Sequence, residues 1–160
     1  MNKGYMKLET MTKEHYKDIY DIAISSEPWT TGMTLEQFTA PMQKREGYVL
    51  IHKDKVIGCV SFSDYTPLSS ILIHATIDTK YQGKWATKNI LKQIFQYVFE
   101  ILELPRLSGI SIVGMSDKAG EFLLRLGFKE EGCIRKGMRL TNGYYDLKMF
   151  GMLKEECKFI

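Results

Sequence analysis

A strand-like segment is joined to a helix-like segment by residues 82–87, QGKWAT, and this joint could bind an anion. The first amide N–H groups of a helix have no partner within the helix, and the aligned peptide dipoles add partial positive charge there. Gly83 would let a ligand approach the backbone closely, while lysines recur every four residues at Lys80, Lys84, Lys88 and Lys92. A pyrophosphate would suit this arrangement. The alternative is a plain turn beside solvated lysines, because neither a Walker loop nor a dinucleotide-binding glycine pattern is present.

The elements that must position this joint follow from the spacing of apolar residues. Apolar residues alternate over residues 71–77, which predicts a strand, and then recur at three- and four-residue spacing from Ile90 to Leu102, which predicts a helix that packs on a sheet. Thr34 with Gln37 forms a capping box, and Asn142 with Gly143 indicates a hairpin. The whole pattern predicts the order β-α-α-β-β-β-α-β-α-β-β, an α/β (α+β) fold with a mixed, mostly antiparallel sheet and helices on both faces.

Composition limits the class of protein. The 160 residues predict a single domain over 1–160, and 44% hydrophobic with 26% charged residues is typical of a soluble globular protein. An excess of three positive charges does not by itself indicate a nucleic-acid partner. The three cysteines are widely spaced and predict neither a disulfide framework nor a metal site, so reduced thiols in the cytoplasm fit best. No stretch approaches membrane-spanning length, and we expect no membrane association.

Three segments carry a resemblance to a known family, and it extends over nearly the whole chain. They are YQGKWATKNIL after a strand, RLGFKEEG after a helix, and the tail GYYDLKMFGMLKEEC. These segments and the element order resemble the GNAT superfamily of acyl-CoA N-acyltransferases, closest to the branch that acetylates ribosomal-protein N-termini and to phage-encoded acetyltransferases. The resemblance implies an acetyl-CoA-dependent N-acetyltransferase that acts on a primary amine of a protein, peptide or small molecule by direct attack.

The resemblance also implies that the joint binds the pyrophosphate of acetyl-CoA (coenzyme A). The family pattern Q/R-x-x-G-x-G/A falls on Gln82, Gly83, Lys84, Trp85, Ala86 and Thr87. Trp85 stands where the family usually has glycine, and Thr87 stands where it has glycine or alanine. Trp85 could shield or stack on the cofactor and the Thr87 hydroxyl could bond a phosphate oxygen; alternatively, the site could be degraded.

Further cofactor contacts are expected beyond the joint. The resemblance implies that the strand ending near Ile77 diverges from the strand around Ile110, and that the pantetheine arm lies in the gap. Ser116 occupies the place of a frequent cofactor-contacting asparagine, although it could instead cap the following helix.

Acyl transfer to an amine requires a neutral nucleophile, a polarised carbonyl and a proton for the leaving thiolate. Backbone N–H groups near Ile77 could polarise the carbonyl. Leu72 and Leu123 replace the carboxylate and the tyrosine that the family frequently uses, so His74 becomes the predicted base and Tyr144 a predicted proton donor. His74 could equally be a satisfied histidine on a sheet face, and the tyrosine could fill the core or its rim.

The acceptor pocket is expected between residues 27–31 and the terminal hairpin, where the family places its variable substrate elements. Trp29 and Tyr145 are the predicted substrate-binding residues, although Trp29 could simply cover the edge of the core. The acceptor would be an amine on a protein N-terminus or a small molecule. Cys133 is interpreted as a packed thiol, and the hairpin could pair with a second copy in a homodimer.

Two other functions stay open at this stage. A catalytically weak acyl-CoA-binding protein would bind the cofactor without acetylating any acceptor, and Leu72, Leu123 and Trp85 are compatible with it. A basic interaction module would bind RNA or the ribosome through the four spaced lysines, with a strong salt dependence and no effect of CoA.

Overall fold

The computed structural model describes residues 5–160 as one seven-stranded sheet with four α-helices. The strands are β1 Lys7–Thr10, β2 Glu46–His52, β3 Lys55–Thr66, β4 Ser70–Ile77, β5 Arg106–Ile112, β6 Lys129–Leu140 and β7 Gly143–Leu153. The helices are α1 Tyr16–Ser26, α2 Leu35–Met42, α3 Lys88–Gln96 and α4 Asp117–Leu126. This order confirms the predicted succession of elements.

Local sequence features set the helix ends. In the predicted capping box at α2, the Thr34 hydroxyl accepts from the Gln37 amide and the Gln37 side chain accepts from the Thr34 amide. Helix α4 ends at Gly127, whose φ of +105° is the left-handed conformation that favours glycine. Helix α3 is extended by a π-helical turn, Tyr97–Ile101, so the helical region ends at Leu102, the last residue of the predicted apolar stripe.

The strands lie in the order β1-β2-β3-β4-β5-β7-β6, and every neighbouring pair is antiparallel except β4 with β5. The predicted mixed, mostly antiparallel sheet is therefore confirmed. Edge strand β6 has irregular register against β7 at two places, between Glu130 and Gly132 and between Ile134 and Met138. Such bulges interrupt the ladder of an edge strand, so β6 offers a second copy only short regular stretches for pairing.

The sheet separates two apolar clusters. The cluster on the α3–α4 face includes Phe62 and Phe150 from strands and Ile90 and Phe95 from α3. The cluster on the other face includes Ile19 from α1, Phe38 from α2 and Val49 from β2. Side chains alternate along each strand, so Cys59 and its partner Thr76, and likewise Ser61 and its partner His74, lie on the α1–α2 face. Within residues 5–160, no helix has both the length and the apolar character needed to cross a bilayer.

Candidate functional site

The parallel strands β4 and β5 separate halfway along their length. They pair only over residues 70–72 with 106–108, whereas β5 continues to pair with β7 as far as Ile112. Among the described residues, none pairs with residues 73–77 of β4 on the β5 side, so their backbone groups on that side are available to a ligand. The predicted divergence between Ile77 and Ile110 is confirmed.

A cavity of about 320 Å³ occupies this gap and is lined from both faces of the sheet. Trp85, Leu91 and Phe122 line it on the α3–α4 side. Glu27, Trp29, Phe38 and Arg45 line it on the α1–α2 side, and His74, Thr76, Ile110 and Ile112 lie between them. The gap thus connects the joint before α3 with the region around the loop after α1.

The β4–α3 joint presents backbone donors without partners. Gly83 has a φ of +83°, and a Cβ atom built on it would meet nothing within 4 Å. Among residues 5–160, the amides of Gly83, Ala86, Lys88 and Asn89 have no hydrogen-bond acceptor. Unpaired N–H groups at a helix N-terminus, with space beside them, form a suitable cradle for a phosphate.

The remaining polar side chains of the joint hold its shape. Gln82 donates from Nε2 to the carbonyl of Ile77 at 3.1 Å and ties the turn to the end of β4. Thr87 is the N-cap of α3, and its hydroxyl oxygen accepts from the Ile90 amide. The Thr87 hydroxyl hydrogen stays free to donate to a ligand. Lys80, Lys84, Lys88 and Lys92 are exposed, and none forms an ion pair within the described part of the chain.

Trp85 is a wall residue of the cavity and part of the core. Its side chain is only 6% exposed, and its ring lies 5.5 Å from that of Phe122 on α4. It belongs to the same apolar cluster as Leu91 and Phe95. The large residue at this glycine position of the family pattern therefore fills the space between α3 and α4.

We expect Trp85→Ala to lower the free energy of unfolding by about 3–4 kcal/mol, because it removes a large side chain from a packed cluster. Trp85→Phe should lose less stability and should keep the affinity for acetyl-CoA within about threefold. Urea unfolding and calorimetry would measure the two effects. A Trp85→Phe protein of native stability whose cofactor affinity falls tenfold would show instead that the indole contacts the cofactor.

Ser116 lies beside the cavity at the end of β5. The amide of Ile112 donates to its hydroxyl oxygen at 2.7 Å, and the serine makes no capping bond to α4. Ser116 is therefore the N-cap residue of α4 by position, but its side chain does not cap the helix. Asp117 instead accepts from the amide of Gly114 at 3.0 Å. The Ser116 hydroxyl hydrogen remains available to a ligand in the gap.

His74 is the first member of a hydrogen-bonded series on the α1–α2 face. Its Nε2 lies 2.6 Å from the Ser63 hydroxyl, which donates to the Asp64 carboxylate at 2.7 Å. A carboxylate only accepts, so the serine proton points to Asp64 and Nε2–H must donate to the serine oxygen. This arrangement leaves the Nδ1 lone pair of His74 free. Burial, assisted by the positive charge of Arg45, lowers the pKa of His74 to about 4, although Asp64 acts in the opposite direction.

This lowered pKa predicts a pH effect on stability. Between the ordinary value of 6.5 and about 4, the unfolded chain binds a proton at His74 that the folded chain does not. The free energy of unfolding should therefore fall as the pH decreases through this window, by up to about 3 kcal/mol. In the His74→Gln variant, the free energy of unfolding should fall less between pH 7 and pH 4.5. Urea unfolding of both proteins at these two pH values measures the difference. Equal pH dependence in the native and variant proteins would contradict this explanation.

Glu27 is a site residue that sequence reasoning did not single out. It follows α1, its amide donates to the carbonyl of Ala23, and its side chain lines the cavity. Burial raises the pKa of this carboxyl to about 7, while the nearby Trp29 side chain acts in the opposite direction because its N–H favours the ionised form. A carboxyl poised near neutral pH is typical of groups that exchange protons with substrates. The only sequence feature that could have indicated it was a carboxylate directly before Pro28 and Trp29.

The other predicted acceptor-side residues separate into two groups. Trp29 lines the cavity and its ring lies 6.2 Å from that of Phe38. Tyr144 and Tyr145 do not line it: Tyr144 is 59% exposed and its hydroxyl accepts from Arg139, whereas Tyr145 packs beside the cluster around Leu147. Cys133 is exposed on β6, so its interpretation as a packed thiol is wrong.

Comparison with known proteins extends this picture. No family model matches the chain. It is 22% identical to the ribosomal-protein-serine acetyltransferase of Escherichia coli (strain K12), and the alignment covers 92% of each chain. The crystal structure of a GNAT-family acetyltransferase from Bacillus anthracis superimposes with a TM-score of 0.73 at 16% identity, over 96% of this chain and 98% of that one. A point mutant of the spermidine N-acetyltransferase SpeG of Vibrio cholerae gives 0.72 at 18% identity, over 97% and 96%.

The structural matches establish the fold, and the curated relative extends the similarity to sequence along almost the whole chain. The split between β4 and β5, the glycine-bearing joint and the cavity between them lie in the part of the fold that these matches cover. The chain therefore has the fold of the GNAT-family acetyltransferases and is similar to an acetyltransferase along nearly its whole length.

Proposed function

We propose that this protein transfers an acetyl group from acetyl-CoA to a primary amine bound on the α1–α2 face of the sheet. The observation that carries the proposal is the cavity through the β4–β5 gap, with an anion-ready joint on one side and a half-buried carboxyl on the other. The Vibrio structure is named a spermidine N-acetyltransferase, which denotes transfer to nitrogen, and the curated relative is named a ribosomal-protein-serine acetyltransferase.

The residues of the joint fit a diphosphate. Backbone donors between Gly83 and Asn89 would hold the pyrophosphate of coenzyme A, with the Thr87 hydroxyl and the Lys84 ammonium beside them. The unpaired backbone of residues 73–77 and the Ser116 hydroxyl would contact the pantetheine arm. When bound, acetyl-CoA supplies an activated acyl group on a thiol leaving group.

Glu27 is the proposed proton acceptor. An amine is mostly protonated at neutral pH and becomes a nucleophile only after it loses a proton. A carboxyl with a pKa of about 7 can accept that proton near physiological pH, whereas His74, with a pKa of about 4, is a weak base there. We therefore assign proton transfer to Glu27 and a hydrogen-bonding role to the free Nδ1 of His74.

The proposal assigns no side chain to protonate the thiolate. Within the described chain no tyrosine lines the cavity, and the buried Leu123 occupies the wall where the family frequently has one. An unperturbed thiol has a pKa of about 8.5, so the thiolate is a moderate leaving group that can take its proton from water.

The cellular setting and assembly belong to the same proposal. The free thiols of Cys59, Cys133 and Cys157 suit the reducing cytoplasm in which we place this activity. The acceptor is a protein N-terminus or a small amine. A homodimer through the terminal hairpin stays a prediction.

Calorimetric titration with acetyl-CoA, followed by thiol-release assays with a panel of amines, tests the proposal. We expect saturable binding and a release of CoA that depends on the added amine. Saturable binding without amine-dependent release would favour an acyl-CoA-binding protein. The absence of binding would contradict the proposal altogether.

A further inference from the structure

Arg45 places a positive charge in the cavity, and no carboxylate of residues 5–160 forms an ion pair with it. It lies between α2 and β2, its side chain is half-buried, and it lines the cavity. With the other residues of 5–160, its guanidinium forms neither an ion pair nor a hydrogen bond. A guanidinium carries five N–H donors and stays protonated at neutral pH, so a partly buried one without partners favours binding of an anion.

The groups around Arg45 do not supply that anion. Asp64 is close enough to influence the pKa of Arg45, but it makes no ion pair with it and accepts from Ser63. Burial raises the pKa of the Cys59 thiol to about 12, so this neighbour is neutral. His74 is also neutral at pH 7, because burial lowers its pKa to about 4.

The charges of the cavity argue against a polyamine acceptor. Among the described residues that line it, Glu27 is the only carboxylate, whereas Arg45 and Arg139 are both cationic. Arg139 is exposed and already contacts Tyr144, with its guanidinium 4.8 Å from the ring centre. A polycation would leave its additional charges unpaired in this cavity, whereas a molecule with one amine and one anionic group would match both Glu27 and Arg45.

We propose that the acceptor is an amine that also carries an anionic group, a carboxylate or a phosphate, and that Arg45 binds this group while Glu27 faces the amine. The inference rests on the proposed acetyltransferase function. Both anions present two oxygens to the fork of N–H donors, and bidentate pairing of this kind fixes orientation as well as charge. Arg45 is thus a specificity-determining residue for the acceptor.

Matched pairs of amines test the inference. Lysine is compared with cadaverine, phenylalanine with phenethylamine, and phosphoethanolamine with ethanolamine, so that each pair differs by one anionic group. The kcat/KM for each amine is measured on the native protein, Arg45→Met, Arg45→Lys and the neighbouring exposed control Lys44→Met. We expect the kcat/KM of the native protein to be at least tenfold higher for an anionic member of a pair than for its partner. Arg45→Met should lose this preference and Arg45→Lys should keep part of it. The control Lys44→Met should keep all of it.

The outcomes separate this inference from the function on which it rests. A preference in the first two pairs would identify a carboxylate, and a preference in the third a phosphate. Equal values within every pair, an equal effect of Arg45→Met on both members, or no acetylation of any anionic amine would overturn the inference. Calorimetry with acetyl-CoA on the same proteins shows whether the variants are folded. Failure of the native protein to bind acetyl-CoA would instead remove the proposed function.

Discussion

Gly83→Asp is expected to weaken acetyl-CoA binding by roughly 100-fold or more, which corresponds to about 2.7 kcal/mol. The substitution places a carboxylate in the open space beside the unpaired amides of the joint, where the pyrophosphate would lie. Two like charges about 4 Å apart near a protein surface repel each other by about 4 kcal/mol, and the diphosphate carries more than one charge. Calorimetric titration of acetyl-CoA at low and moderate salt measures the loss.

Gly83→Asn is the matched control, because asparagine has the shape of aspartate without its charge and tolerates a positive φ better than most residues. A Cβ atom at Gly83 meets nothing within 4 Å, so both variants should fold. The asparagine variant should bind acetyl-CoA within a few-fold of the native protein. Equal affinities of the aspartate and asparagine variants would show that the pyrophosphate does not lie at this joint.

Glu27→Gln is expected to reduce kcat/KM for the acceptor by roughly 100-fold or more, the usual contribution of a positioned general base. In the native protein the rate should rise with pH through about 7 as the Glu27 carboxyl ionises, and the variant should lack this rise. Affinity for acetyl-CoA should be unchanged, because Glu27 lies on the α1–α2 side of the gap. Initial rates between pH 5.5 and 9 measure the effect.

The same substitution should stabilise the protein at alkaline pH. Burial raises the pKa of Glu27 from 4.5 to about 7, so between these values the folded chain binds a proton that the unfolded chain has lost. The free energy of unfolding of the native protein therefore falls as the pH rises through this window. Because the group is partly solvated, we expect Glu27→Gln to be more stable by only about 1–2 kcal/mol at pH 8, with no difference below pH 4.5.

Glu36→Gln is the control for both measurements, since Glu36 is an exposed carboxylate of α2 that does not line the cavity. It should keep the native rate, pH profile and stability. If Glu27→Gln retained the native rate and its rise near pH 7, another group would have to accept the amine proton, and His74 would return as the first alternative.

The element order was predictable because the information for it is local. The alternation before Ile77, the stripe from Ile90 to Leu102 and the Thr34 capping box each depend on residues close in sequence, and the structure contains all of these features. The bounds were less predictable, since Lys13–His15 forms a 3₁₀ turn before α1. Whether such a first turn is 3₁₀ or α-helical depends on small differences in hydrogen bonding at helix ends.

The two sides of the site also differ in how far they could be predicted from the sequence. The joint could be proposed as an anion site from sequence because the residues that supply its unpaired amides are contiguous and need no distant element to bring them together. The roles of Glu27 and Arg45 could not be identified from sequence. The raised pKa of Glu27 and the missing partner of Arg45 result from burial beneath elements distant in the chain. Tyr144 was predicted at the site but is exposed. Side chains alternate between the two faces along β7, and the sequence did not indicate which of the adjacent Tyr144 and Tyr145 would face solvent.

The division of the cavity between two faces of the sheet has a consequence for directed evolution. Residues on the proposed acceptor side come mainly from α2, the loop before it and Arg45 after it, whereas the proposed cofactor joint and its helix lie in a separate segment of the chain. A mutant library confined to residues 27–45 would therefore diversify acceptor choice while leaving residues 82–87 unaltered. Selection for new amines could then proceed from a population in which most members still load the acyl donor.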